Sequence, residues 1–81
     1  MTTRVKIFPA TFEIERRGSD YILRTVHTAQ RSRKGRAEFL EQKLFQLRTD
    51  NMERVVEYIS NYTKKSVEEV RTMIHGAERD G

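Results

Sequence analysis

The stretch Phe12-Glu-Ile-Glu-Arg-Arg-Gly-Ser-Asp-Tyr-Ile-Leu-Arg-Thr-Val26 decides the N-terminal half of the fold. Two β-rich runs flank Gly18-Ser19, and glycine supplies the positive φ that the first position of a two-residue II′ turn requires. With Gly18-Ser19 as the loop, Arg17 faces Asp20, Glu15 faces Ile22, Ile14 faces Leu23, Glu13 faces Arg24 and Phe12 faces Thr25. One face then collects Phe12, Ile14, Tyr21 and Leu23. The other collects the opposite-charge pair Glu13–Arg24 beside Ile22 and Val26. A slip by one residue scatters the apolar set, so the pattern fixes the register.

Upstream, Phe8, Ala10, Phe12 and Ile14 alternate with polar positions, while Val5 and Ile7 have the opposite parity. The parity changes at Pro9, which has no N–H for a ladder, and this is read as a bulge or strand start. The segment from Val5 to His27 is therefore expected to be one hairpin, whose apolar face must rest on helices because an isolated hairpin is marginal.

Downstream, residues 28–36 read as a polar loop ending in a basic run. Ala37, Leu40, Leu44 and Leu47 then repeat at i, i+3, i+7 and i+10, the stripe of an amphipathic helix over 36–48. Asp50 with Glu53 reads as a capping box opening a helix over 51–62, with Met52, Val55, Val56 and Ile59 inward. Ser66 with Glu69 reads as a second, opening a helix over 66–75 that ends at Gly76, followed by a tail at 77–81. The expected architecture is a single α+β domain, 1–81, with an N-terminal β-hairpin packed on three C-terminal helices in the order ββααα. Phe12, Leu23, Leu40, Leu44, Val56 and Ile59 are expected in its core, and Phe8, Tyr21, Tyr58 and Tyr62 in the core or at its rim.

Composition restricts the chemistry. The chain has 81 residues, 36% of them hydrophobic and 35% charged, with no cysteine and no tryptophan. Without cysteine there is no disulfide framework and no thiolate ligand or nucleophile. The two histidines, His27 and His75, fall on different elements with no ligand-like spacing, and no glycine-rich phosphate loop occurs. The carboxylates are explained by caps, cross-strand pairs and exposed faces. A non-enzymatic protein with no cofactor and no metal is expected. No apolar run reaches the roughly 18 residues of a membrane span and no signal-peptide core is present, so the expectation is a cytoplasmic protein that does not contact membranes.

Charge is the remaining signal. The formal net charge is +4, and it is uneven. Residues 31–36 contain Arg31, Arg33, Lys34 and Arg36 and no acid, whereas residues 37–81 hold seven basic and nine acidic side chains. At the start of a helix such cations oppose the macrodipole, unless an anion binds there. Arg16 and Arg17 at the hairpin turn and Arg24 on the outer strand face are expected to extend the patch. The expected function is a small nucleic-acid-binding protein that contacts phosphates through Arg31, Arg33, Lys34, Arg36, Arg16, Arg17 and Arg24. A helix-turn-helix role for the last two helices is disfavoured by Glu68 and Glu69, carboxylates where a recognition helix meets phosphates. The alternative function is a protein–protein adaptor or small regulator acting through an exposed strand edge or the acidic helical surface. Ile22 and Val26 form an apolar strip beside that edge and are expected in a homodimer contact.

Overall fold

The computed structural model describes residues Thr2–Asp80, with side chains for all of these except Arg31, Arg33 and Asp80. Four strands precede two helices: β1 Thr2–Ile7, β2 Ala10–Arg17, β3 Asp20–Arg33, β4 Arg36–Thr49, α1 Met52–Thr63 and α2 Val67–Asp80. The strands form one antiparallel sheet in the order β1-β2-β3-β4. The α+β class stands. The architecture is ββββαα instead of ββααα.

The β2–β3 register is the one the turn chemistry dictates, from Arg17↔Asp20 through Phe12↔Thr25. Gly18 has φ +62° at the turn. The parity change at Pro9 marks a tight reversal instead of a bulge: Ile7 pairs with Ala10, and β1 folds back along β2 from there. Phe8, expected in the core, sits on that reversal and is exposed.

The larger correction concerns residues 28–48. The expected basic loop over 28–36 and helix over 36–48 are both strand, joined by a two-residue turn at Lys34-Gly35. Both turn residues have positive φ, +51° and +75°, as a I′ turn requires. The pairing runs from Arg33↔Arg36 back to Tyr21↔Thr49. Between Leu23↔Leu47 and Arg24↔Phe45 the residue Gln46 has no opposite number, which makes it a β-bulge. Gln46 donates to Thr25 Oγ1 at 3.1 Å and accepts from the Tyr58 hydroxyl. The bulge thus ties the sheet to α1.

Helix α1 is capped by Asn51, one residue later than expected. Its side chain accepts from the Glu53 amide at 3.0 Å, and the left-handed Lys64 closes the other end. Ser66 caps α2 by accepting from the Glu69 amide at 3.2 Å. The helix continues through Gly76 to Asp80, so Gly76 is not its stop and residues 77–80 are not a tail. Gly81 lies outside the described residues.

Both helices pack on one face of the sheet, α2 over β1 and α1 over β3 and β4. The core joins Val5, Ile7, Phe12, Ile14 and Leu23 from the sheet to Val55, Val56, Ile59, Val70 and Ile74 from the helices. Phe12 is fully buried and meets Tyr62 edge-on, with centroids 5.3 Å apart. Leu40 and Leu44 do not join this core; they are 46% and 51% exposed, because β4 has left the sheet's covered area where they occur.

The opposite face is a lattice of charges. Glu13, only 4% exposed, accepts from Arg4 and Lys43, and Glu15 bridges Arg17 and Arg24. Ile22 lies between Glu15 and Arg48, and Val26 between Thr11 and Lys43. Long side chains of this kind cover apolar surface with their stems while their charged ends stay wet. Ile22 and Val26 are accordingly buried within the chain, at 4% and 7% exposure, and offer no exposed strip to a second copy.

Candidate nucleic-acid interface on the projecting arm

The pairing of β2 with β3 ends at Thr11↔Val26, and that of β3 with β4 continues for seven more residues of β3 to Arg33. Residues 27–42 therefore form a two-stranded ribbon extending beyond the sheet. At about 3.3 Å per residue its reach is roughly 23 Å. The described side chains along it are exposed.

The ribbon's end carries the basic run. Lys34 occupies the turn, Arg36 follows it, and both are exposed. Arg33 pairs with Arg36 and Arg31 with Glu38 in the ladder, which brings the backbone of all four basic residues to one tip. The side chains of Arg31 and Arg33 lie outside the described residues. Arg36 starts a strand, so the expectation of an anion seated on a helix N-terminus is overturned.

The other three expected contacts do not join this tip. Arg16 and Arg17 flank the β2–β3 turn, at the opposite end of β3 from Lys34. The 14 residues of β3 hold the two ends about 43 Å apart at 3.3 Å per step. Arg16 lies over the Tyr21 ring at 5.8 Å, and Arg17 contacts Glu15 at 3.1 Å. Arg24 sits mid-sheet and donates to Glu15 at 2.9 Å. That bond, joined by Arg17, holds the Glu15 carboxyl below the usual carboxylate range. The expected patch thus divides into a basic tip and a distant group in which Arg17 and Arg24 contact Glu15 and Arg16 lies on Tyr21.

At the arm's base, Arg4 reaches across the sheet to Glu41 as well as Glu13. The hydrogen bond from Arg4 lowers the Glu41 pKa and raises that of Arg4. On either side of the base, β4 carries four exposed apolar side chains, Phe39 (69%) and Leu40 toward the tip and Leu44 and Phe45 (64%) toward the sheet, of which Leu40 and Leu44 were expected in the core. Strand alternation puts Phe39 and Phe45 on the charged face and Leu40 and Leu44 on the helix-side face. Beside the end of β4, an open groove of about 500 Å3 is lined by Leu47, Arg54, Glu57, Tyr58 and Asn61.

Among the described residues, no group of three or more His, Asp or Glu side chains is arranged to hold a metal ion, and no helix is long and apolar enough to cross a membrane. Compared with known families, curated proteins and solved structures, the chain has no match.

Proposed function

We propose that this protein is a non-enzymatic nucleic-acid-binding protein that presents a basic β-ribbon to the phosphate backbone. The observation that carries the reading is the projection of the ribbon with Arg31, Arg33, Lys34 and Arg36 gathered at its end. Such a placement contributes nothing to the core, and like charges at one tip repel one another unless a polyanion neutralises them. A two-stranded ribbon is narrow enough to enter the major groove of duplex DNA. Arginine and lysine at its tip meet phosphate oxygens there, arginine by bidentate hydrogen bonds and lysine as a point charge. Contacts of this kind position a protein without reading bases.

The test is a fluorescence anisotropy titration against labelled duplex DNA, single-stranded DNA and RNA at two salt concentrations. The expected result is binding that weakens steeply with salt. Replacing Lys34 and Arg36 by Gln removes two cations and flattens the logarithmic salt slope by up to about two units. Far-UV circular dichroism stays unchanged, because both side chains are outside the core. Absence of binding to all three probes at low salt overturns the reading.

A further inference from the structure

Among the described residues, no strand lies beside the outer edge of β4, and for most of its length its side chains are exposed. A long apolar edge is a template for another strand. The sequence of this edge identifies which strand. Phe39-Leu-Glu-Gln-Lys-Leu-Phe45 reads the same in both directions about Gln42, except that Glu41 is mirrored by Lys43. We infer that β4 pairs antiparallel with β4 of a second copy of this chain, with a twofold axis through Gln42, joining two four-stranded sheets into one.

Antiparallel pairing on a twofold axis sets each residue against its mirror image. With the axis at Gln42, Phe39 faces Phe45 of the second copy, Leu40 faces Leu44, and Glu41 faces Lys43. Each contact occurs twice. Side chains opposite one another share a face, so the Phe pairs gather on the charged face and the Leu pairs on the helix side. Opposed residues have the same parity, so the outward N–H and C=O groups of the two edges meet. Neighbouring registers that keep this parity fail on chemistry. An axis at Glu41 sets Glu41 against its own copy and Phe39 against Lys43. An axis at Lys43 sets Lys43 against its own copy and Glu41 against Phe45. Like charges directly opposite are destabilising. Only the axis at Gln42 matches aromatic with aromatic, leucine with leucine and acid with base.

The charge lattice supports the same axis. Within one chain, Arg4 contacts Glu13 and Glu41, and Lys43 contacts Glu13. Setting Glu41 beside Lys43 of the second copy continues this alternation across the junction. The bulge at Gln46 bounds the ladder: it reverses side-chain parity, so Arg36 and Arg48, opposed by the same symmetry, project to different faces. The basic turn at 34–35 lies outside the pairing and stays open to phosphates in the dimer. Residues 36–42 are then flanked by residues 42–48 of the second copy, so groove entry by a two-stranded ribbon belongs to the monomer. Sedimentation reads self-association and anisotropy reads nucleic-acid binding, and each can fail alone.

Cysteine cross-linking tests the register directly, since the chain has no cysteine of its own. Gln42→Cys places two thiols on the axis, within the Cα separation a disulfide accepts, and is expected to yield a covalent dimer under mild oxidation. Phe39→Cys alone is expected not to cross-link, but to do so when mixed with Phe45→Cys. Thr28→Cys, exposed on β3, is the negative control. Sedimentation velocity of the wild-type protein is expected to show a dimer. Phe45→Lys, which removes both aromatic pairs, weakens it by about tenfold or more with helical circular dichroism retained. A wild-type protein that sediments as a monomer at about 100 µM, well above the micromolar dissociation constants of weak but specific complexes, overturns the inference. So does equal cross-linking of Gln42→Cys and Thr28→Cys.

Discussion

The body of the molecule, residues 2–26 and 43–80, and the arm, residues 27–42, share one antiparallel ladder but differ in what holds each strand in place. In the body, hairpin turns and side-chain parity agree with a two-layer core, so Phe12, Leu23, Val55 and Ile59 are fully buried. In the arm the ladder continues without a second layer, and the apolar side chains of Phe39 and Leu40 stay in water, as do those of Leu44 and Phe45 just inside the body. A domain of this size buries only about 60% of its unfolded surface. The large apolar side chains left outside the core are the ones on which the proposed β4–β4 pairing rests.

The largest expected effect separates the two regions by stability. Phe12→Ala removes a fully buried ring and its edge contact with Tyr62, and is expected to cost about 3–5 kcal/mol in urea denaturation. Leu40→Ala, at 46% exposure in the arm, is expected to cost less than about 1 kcal/mol in dilute protein, in line with an ordinary surface substitution. Equal losses would mean that the arm is packed against something in the monomer and that the contrast is wrong.

A smaller effect marks the boundary between the regions. Gln46→Ala deprives the fully buried Thr25 of a hydrogen-bond partner and takes the acceptor from the Tyr58 hydroxyl. A cost of about 1–3 kcal/mol is expected in the same assay. Asn51→Ala, which removes the cap just after β4, is expected to cost about 1 kcal/mol.

Acid provides a weaker probe of the arm's base. The Glu41 carboxyl is held below its ordinary range chiefly by the hydrogen bond from Arg4. A group whose folded pKa is depressed contributes stability above its unfolded pKa and loses it as pH falls through the folded value. The stability difference between wild type and Glu41→Gln is therefore expected at neutral pH and to vanish on acidification below the ordinary carboxylate range. A difference that persists at low pH would assign the effect to something other than the Arg4–Glu41 pair.

The body was the readable part of the sequence. Gly18-Ser19 with alternating neighbours determined the β2–β3 register residue by residue, and Ser66 and Val55, Val56 and Ile59 placed the helices to within a few positions, apart from the C-terminal extension of α2. The parity change at Pro9 was visible, but a two-residue reversal and a bulge shift parity alike. The arm's conformation is hidden in the sequence for a definite reason. Residues 36–48 contain no β-branched side chain and, apart from Phe39 and Phe45, consist of Leu, Glu, Gln, Arg, Ala and Lys, all good helix formers. Their strand conformation is imposed by the partner strand β3, with Thr25, Val26 and Thr28, and by the turn at Lys34-Gly35. Tertiary pairing overrides local propensity here. The signal that pointed the other way was the Lys34-Gly35 dipeptide between two long runs. The same helical reading places the basic run at a helix start and merges it with Arg16, Arg17 and Arg24, which the long β3 strand carries to the opposite end or the middle of the sheet.

The central claim, that the arm's end and not the body's basic surface meets nucleic acid, is tested most directly by one paired salt titration. Lys34→Gln/Arg36→Gln at the tip and Arg16→Gln/Arg17→Gln at the far turn remove the same charge from opposite ends of β3. Anisotropy with duplex DNA across a range of salt is predicted to show a slope flattened by up to about two units for the tip pair, with the far pair close to wild type. Equal flattening by both pairs, or a larger effect from the far pair, would contradict the account.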